Sequence, residues 1–182
     1  MKIIAIEGGV CAGKTTLIQS SNLPSLPDYW KYKTQFLTEL CFPAMNISQL
    51  LANNQFFLEI EKLRLQQLNE WSQNRLVLLD RSFLSLLGFD YAFMKMFAIE
   101  GFARIYEFWE NNPKIQPDEV IFLDISHSER VKRFKGRGKT CDQTILLTEE
   151  FNNSFKEFFL AQQDKFKITY LSESISFQDI IT

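Results

Sequence analysis

The residue types with the clearest chemistry form a glycine-rich segment directly after the apolar run Lys2–Ile6. The segment follows the pattern GxxxxGK[ST] and consists of Gly8, Gly9, Val10, Cys11, Ala12, Gly13, Lys14 and Thr15, with Thr16 next. Glycines let successive backbone N–H groups turn inward around phosphate groups, and the following helix points its positive end at them. Lys14 adds a charge near the transferable phosphate, and the Thr15 hydroxyl is suited to bind Mg²⁺. The segment therefore predicts a nucleoside triphosphate site, the alternative being a glycine-rich turn without a ligand.

Acidic residues close several apolar runs and are candidates for chemistry at the carboxyl ends of strands. They are Glu7, Glu39, Asp80 and Asp124. Asp80 follows four apolar residues in a Walker B pattern and precedes Arg81, so we expect it to hold Mg²⁺ directly or through water. The alternative is a carboxylate that only caps the following helix.

A basic stretch late in the chain contains alternating cations and two glycines. Its members are Arg130, Lys132, Arg133, Lys135, Gly136, Arg137, Gly138 and Lys139. Phosphoryl transfer spreads negative charge over the transferring group, which requires positive donors that arrive without water. The stretch predicts a lid at about 129–141, and the alternative is a solvated basic face.

Short apolar runs separated by helical patterns predict an α/β fold with a parallel sheet. The predicted strands are Lys2–Ile6, Thr34–Glu39, Arg75–Asp80, Glu119–Asp124 and Lys167–Leu171. The predicted helices are Ser48–Gln73, with Ser48 as a cap, and Ser82–Phe97, Phe102–Asn111, Ser128–Lys135 and Thr148–Asp164.

The composition is that of an ordinary globular protein, and the 182 residues suit a single domain over 1–182. A net charge of −2 gives no field for nucleic acid or an anionic membrane, so a small molecule is the expected partner. Three cysteines without metal spacing, and an N-terminus without a leader pattern, favour the cytoplasm.

Three motifs together resemble the thymidylate kinase and deoxynucleoside kinase superfamily. They lie at residues 6–16, at 80–82 (Asp-Arg-Ser) and at 129–133 (Glu-Arg-x-x-Arg). The resemblance implies a P-loop NTPase fold with a five-stranded parallel sheet in the order 2-3-1-4-5, helices on both faces and a short arginine-rich lid. It also implies ATP as the phosphate donor and a homodimer.

The resemblance extends to individual residues. It implies that Glu39 ends the second strand and deprotonates the acceptor hydroxyl, and that Arg81 holds the acceptor end nearby. The lid pattern carries over to Arg130, Arg133 and Arg137, which would stabilise the transferring phosphate.

The acceptor pocket matches the superfamily only in part. Deoxynucleoside kinases carry a Phe-Gln pair with an Arg eight residues after the Phe; Phe56 and Arg64 keep this spacing, but Phe57 stands in place of the Gln. Gln55 is a nearby polar candidate for reading an acceptor, and either phenylalanine could stack on a base. The alternative is core packing for the aromatics and solvent exposure for Gln55.

These patterns predict an ATP- and Mg²⁺-dependent kinase of a nucleoside or a nucleoside monophosphate. A hydroxyl acceptor benefits from a base such as Glu39, whereas an anionic monophosphate needs extra cations. The alternatives are a kinase of a non-nucleoside metabolite, with the same phosphate side, and a non-catalytic nucleotide-sensing module.

Overall fold

The computed structural model describes residues 1–33, 36, 39–71, 73–136 and 145–172. A five-stranded, all-parallel sheet lies at its centre in the order β2-β3-β1-β4-β5, which confirms the predicted fold. The strands are β1 (Lys2–Gly8), β2 (Ser25–Leu26), β3 (Leu76–Asp80), β4 (Glu119–Leu123) and β5 (Ile168–Leu171). The helices are α1 (Lys14–Ser20), α2 (Ile47–Glu70), α3 (Phe83–Met96), α4 (Phe102–Glu110), α5 (His127–Gly136) and α6 (Glu149–Ala161).

The central strands are buried on both faces, which is why they read as continuous apolar runs. Because side chains alternate along a strand, Ala5 and Val77 face a large core shared with α2, α3, α4 and α6. Ile6 and Leu78 face a smaller cluster that includes Ile18 of α1. The sheet therefore fixes α1, and the loop before it, against one face.

Side-chain caps set the starts of three helices. Asn46 caps α2 by accepting the Gln49 N–H (3.0 Å), so the predicted cap at Ser48 is wrong by two residues. Ser82 caps α3, and Thr148 caps α6. Each hydroxyl or amide oxygen satisfies a backbone N–H that has no partner within its helix.

The second strand differs from the sequence prediction. The strand beside β3 is Ser25–Leu26, whereas Phe36 and Glu39 lie in no strand and residues 34, 35, 37 and 38 lie outside the described residues. Pro24 and Pro27 flank this strand, and prolines lack the N–H that would extend its pairing. A two-residue edge strand carries no periodic pattern, which is why Thr34–Glu39 was the more strand-like sequence.

Within the described part of the chain, no helix combines the length and the apolar character needed to cross a membrane.

Candidate active site

The phosphate-binding loop connects β1 to α1 at the carboxyl edge of the sheet. Gly8 and Gly13 have positive φ values of 131° and 102°, which favour glycine, and a Cβ on Gly8 would lie 2.7 Å from the Leu123 carbonyl oxygen. The Lys14 ammonium donates to the carbonyl oxygens of Gly8 (3.0 Å) and Gly9 (2.9 Å). Burial, aided by the charge of Arg81, lowers the Lys14 pKa to about 7. An anionic phosphate at the loop would favour the charged form of this lysine.

Thr15 and Asp80 lie side by side next to the loop. The Thr15 hydroxyl donates to Asp80 Oδ2 (2.7 Å), and the other carboxylate oxygen, Oδ1, is buried without a hydrogen-bond partner among the described residues. A hydroxyl beside an unsatisfied carboxylate oxygen is a donor set that fits Mg²⁺. Because Ser82 caps α3, the alternative role of Asp80 as that helix's cap is wrong.

Arg81 links the loop to the neighbouring cavity. Its φ is 72°, an uncommon value for a residue with a side chain. The guanidinium donates to Asp28 Oδ2 (2.9 Å), the Gly8 carbonyl (3.2 Å) and the Ser85 hydroxyl (3.0 Å), and it lies 4.8 Å from the centre of the Phe89 ring. Contacts with β1, with α3 and with the segment after β2 therefore hold this side chain in one orientation.

Asp28, which the sequence interpretation missed, follows β2 at the same edge of the sheet. One oxygen accepts from Arg81, and the other accepts the Trp30 backbone N–H (3.2 Å), so the carboxylate is fixed at both ends. Its side chain is 23% exposed. The available signal was an acidic residue after Pro27, at the end of a very short strand.

Glu39, the predicted base, does not have the position on which that role depends. It lies outside the sheet, its side chain is exposed, and it is not among the residues that line the cavities beside Arg81. The acidic residue that follows the second strand is Asp28 because the chain enters the sheet earlier than predicted.

Glu7 organises the turn that carries Asp80 and Arg81. It is fully buried and accepts hydrogen bonds from the Ser82 N–H and hydroxyl (2.7 Å each) and from the Ser85 hydroxyl. Burial raises the pKa of this carboxyl. The sequence placed Glu7 correctly at the end of a strand, but gave no sign of these partners.

An apolar cavity opens beside the Asp28–Arg81 pair. Its lining is mostly apolar and aromatic, and includes Leu50, Phe57, Leu86, Phe89, Phe93 and Asp90. A second, more polar cavity lies against the phosphate loop and includes Lys14 and Thr15. Asp28 and Arg81 lie at the junction of the two cavities, which also share Trp30, Phe89 and Leu146.

Only one of the residues predicted on α2 reaches the apolar cavity. Phe57 lines it, whereas Phe56 is buried in the core against Phe57. Gln55 is exposed and donates to Glu59 (3.3 Å). Contrary to the sequence prediction, Gln55 and Phe56 do not line the cavity. The face of α2 that lines it carries Leu50 and Phe57.

Arg64 is also placed differently from the prediction. It is fully buried, pairs with Glu61 (3.0 Å) and lies 4.2 Å from the centre of the Tyr29 ring. It also donates to the backbone carbonyl of Arg81 (2.7 Å). Arg64 therefore supports the main chain at Arg81 and does not line the cavity.

Two arginines of the predicted lid lie on α5, and Arg133 is hydrogen-bonded to the phosphate loop. Arg133 donates to the Ala12 carbonyl (3.0 Å) and to Glu129 (2.8 Å). Arg130 is buried and donates to the Ile125 carbonyl (2.7 Å). Arg137 and the rest of the predicted lid from 137 to 141 lie outside the described residues.

Comparisons with known proteins show the family and agree with the fold. Residues 36–180 match the model of the thymidylate kinase family. Deoxyguanosine kinase from Dictyostelium discoideum is 27% identical over an alignment 198 positions long. The alignment covers 98% of this chain and 66% of that protein, so the chain spans about two thirds of its length.

Solved structures of deoxyadenosine kinase from M. mycoides share the fold. The one with bound dATP has a TM-score of 0.66 and 19% identity, covering 98% of this chain and 95% of that chain. The one with dCMP and dCDP has a TM-score of 0.66 and 18% identity, covering 97% and 93%.

Proposed function

Because this chain belongs to the thymidylate kinase family, we propose that it transfers the γ-phosphoryl group of ATP to the hydroxyl of a nucleoside. The observation that carries the choice of acceptor is the Asp28–Arg81 pair at the junction of the two cavities. A carboxylate at this junction suits a hydroxyl, which must lose a proton, and repels an anionic phosphate. The names of the relatives, which are deoxynucleoside kinases, favour the same acceptor class.

The phosphate side binds the donor. Backbone N–H groups of the loop and Lys14 bind the phosphates of ATP, and Arg133 approaches from the lid. Thr15 and Asp80 would hold Mg²⁺, which when bound neutralises charge on the phosphate oxygens. We also assign Arg137 to the phosphates of ATP, because it belongs to the basic stretch that predicts the lid.

The acceptor side prepares the hydroxyl. Asp28 accepts the proton of the hydroxyl as the hydroxyl oxygen attacks the γ-phosphorus and the bond from that phosphorus to the bridging oxygen breaks, which releases ADP. Arg81 holds Asp28 and the acceptor in place. A general base of this kind contributes about 10²–10⁴-fold to the rate. Glu7 and Arg64 act through Arg81 by fixing the turn on which it lies.

A nucleoside monophosphate is the weaker candidate. Its phosphate would need cations beyond those that neutralise ATP. The positive charge of Arg81 is matched by Asp28, and Arg64 is enclosed by Glu61 and Tyr29, so neither arginine is an unpaired cation facing the cavity.

The test is incubation with Mg-ATP and a panel of deoxynucleosides, ribonucleosides and their monophosphates, with products identified by mass. We expect phosphate to be gained by nucleosides. Phosphate gained only by monophosphates would overturn the choice of acceptor, and tight ATP binding with no product would favour a nucleotide-sensing module or a non-nucleoside acceptor.

A further inference from the structure

A third cavity lies between α5 and α6, and Gly9 of the phosphate loop forms part of its wall. Its volume is about 150 Å³, which is roughly ten times what one water molecule needs. Most of the side chains that line it are polar. They include Asp124, His127, Arg130, Glu149, Asn152 and Lys156. Neither Lys14 nor Thr15 lines this cavity, so it is distinct from the one that we assign to the phosphates of ATP.

The cavity contains a buried positive charge that has no counter-ion. Four cationic side chains are buried in the described part of the chain, and two of them, Arg64 and Arg81, pair with carboxylates. Lys14 and Arg130, which are 6% and 8% exposed, form no ion pair with a described residue. A buried charge without a partner is costly for the folded protein. ATP supplies the missing negative charge to Lys14 in the proposed function, whereas Arg130 lines a different cavity.

The carboxylates nearest to Arg130 do not neutralise it. Asp124 forms its ion pair with Lys156 (2.6 Å), and Glu149 is an exposed residue. Burial lowers the Arg130 pKa below its ordinary value, and the charges of Asp124 and Glu149 offset this only in part. The charge of Arg130 is therefore left for a ligand in the cavity to compensate.

Three unsatisfied polar atoms belong to residues that line this cavity. Arg130 Nε, Asn152 Oδ1 and His127 Nδ1 are buried and have no hydrogen-bond partner among the described residues. Other bonds hold two of these side chains in place: Arg130 Nη1 donates to the Ile125 carbonyl (2.7 Å), and Asn152 Nδ2 donates to the Leu146 carbonyl (2.9 Å). A matching ligand accepts a hydrogen bond from Arg130 and donates one to Asn152.

The acceptor atom and the guanidinium meet beside the phosphate loop. A Cβ on Gly9 would lie 2.4 Å from Asn152 Oδ1 and 3.6 Å from Arg130 Nη1. One small ion can therefore reach both side chains. Such an ion would also lie next to the loop backbone and next to α5, the helix whose Arg133 is bonded to the loop.

The chemistry of the two side chains narrows the class of ligand. Water satisfies hydrogen bonds but leaves the charge of Arg130 uncompensated, and a halide ion cannot donate to Asn152. Hydrogen phosphate does both, because its oxygens accept from the guanidinium and its P–OH group donates to the amide oxygen. Sulfate has no proton at neutral pH. A phosphate monoester, with a second pKa of about 6, has largely lost the corresponding proton.

We propose that the cavity between α5 and α6 is a binding site for inorganic phosphate, held by Arg130 and Asn152 beside Gly9. This site is additional to the cavities for ATP and for the acceptor. Its existence does not depend on which acceptor the chain phosphorylates. Bound phosphate contacts the phosphate loop and the lid helix together, so the site lies where an ion can act on both.

The test measures phosphate binding by calorimetry at neutral pH and constant ionic strength. Mg²⁺ and a non-hydrolysable ATP analogue first fill the phosphate loop, so that the loop does not compete for the ion. We expect the wild-type chain to bind one phosphate, and to bind it about tenfold or more tightly than sulfate or methyl phosphate. This comparison of ligands needs no variant.

A pair of variants on α5 assigns the binding to Arg130. Arg130→Gln removes the charge and keeps an N–H donor, and the affinity for phosphate should fall by about tenfold or more. Lys132→Gln is the matched control, because it removes the same charge from the same helix at a side chain that is 80% exposed. Its affinity for phosphate should stay within about twofold of wild type.

The outcomes separate this site from the proposed function. No phosphate bound by the wild type, equal affinity for sulfate or methyl phosphate, or undiminished binding by Arg130→Gln would overturn the phosphate site and leave the kinase function standing. Phosphate binding that depends on Arg130, in a chain that phosphorylates no nucleoside, would support the site and overturn the proposed function. If the ATP analogue does not bind, the loss of one phosphate in Arg130→Gln but not in Lys132→Gln still supports the site, and equal binding by both variants overturns it.

Discussion

The phosphate loop and the apolar cavity meet at Asp28 and Arg81 but are built in different ways. The loop is one contiguous segment whose function depends on backbone shape, with glycines at positive φ and N–H groups ahead of α1. The cavity takes most of its lining from side chains of α2, α3 and the segment between β2 and α2. A contiguous backbone site tolerates little change, whereas a side-chain pocket can change its acceptor one residue at a time.

Residues at the junction fix the phosphate loop and the apolar cavity relative to each other. Arg81 contacts the loop through the Gly8 carbonyl and contacts the cavity through Asp28 and Phe89. Glu7 at the end of β1 anchors the Ser82 turn. The hydroxyl of an acceptor and the phosphate of a donor therefore meet at groups that belong to both regions, which is the proximity that transfer requires.

Of the loop, the cavity and the solvent-facing side of α2, the loop should show the largest effect when it is changed. Lys14→Ala removes the only side-chain cation within the segment Gly8–Thr15, and we expect phosphate transfer to fall by about 10²–10³-fold or more. The far-ultraviolet circular dichroism spectrum should be unchanged. Lys62→Ala, at an exposed lysine paired with Glu59, is the control and should keep its activity. Equal losses in both variants would break the distinction between the loop and the rest of the surface.

An intermediate effect should appear in the cavity as a pH dependence of stability. Burial raises the Asp90 pKa from 3.8 to about 7, so between these values the folded chain holds a proton that the unfolded chain has lost. The contribution of Asp90 to the free energy of unfolding is therefore fully present below pH 3.8 and is lost as the pH rises through 7. Between pH 5 and 8 the wild type should lose about 3 kcal/mol in the free energy of unfolding through this group, and Asp90→Asn should not show this loss.

Urea denaturation of the two chains at both pH values measures this difference, because the other titrating groups are common to both. The same pH dependence in Asp90→Asn and wild type would show that the Asp90 carboxyl is not buried in the way described.

The smallest effect should come from the part of α2 that faces solvent. Gln55→Ala removes a side chain that is exposed and bonded to Glu59, so kcat and KM for a nucleoside should stay within about twofold of wild type. Phe57→Ala, two positions along the same helix, is the matched contrast and should raise KM because Phe57 lines the cavity. A raised KM in Gln55→Ala together with an unchanged KM in Phe57→Ala would place the acceptor on the other face of α2.

The sequence predicts the loop and four strands because these signals are local. β1, β3, β4 and β5 are short apolar runs in the interior or along the far edge of the sheet, and the loop motif is complete within eight consecutive residues. β2 is two residues between prolines, too short to show a period. The predicted strand Thr34–Glu39 depends on a local pattern, and the prediction of Glu39 as the base depends on that strand.

The junction could not be predicted because its contacts join distant parts of the chain. Asp28 and Arg81 are 53 residues apart, and Glu7 and Ser82 are 75 apart. Arg64 had the right spacing for an acceptor-binding role, but the spacing does not reveal that Glu61, one turn earlier, pairs with it in the core. Spacing along one helix thus identifies a face, but not what that face contacts.

The most direct test of the proposed mechanism compares Asp28→Asn with Glu39→Gln on a nucleoside acceptor, with Mg-ATP saturating. Both changes remove a carboxylate and keep the shape of the side chain. We predict that kcat falls by about 10²–10⁴-fold in Asp28→Asn and stays within about twofold in Glu39→Gln. Near-wild-type turnover by Asp28→Asn, or an equal loss in Glu39→Gln, would contradict the assignment of the base to the Asp28–Arg81 junction.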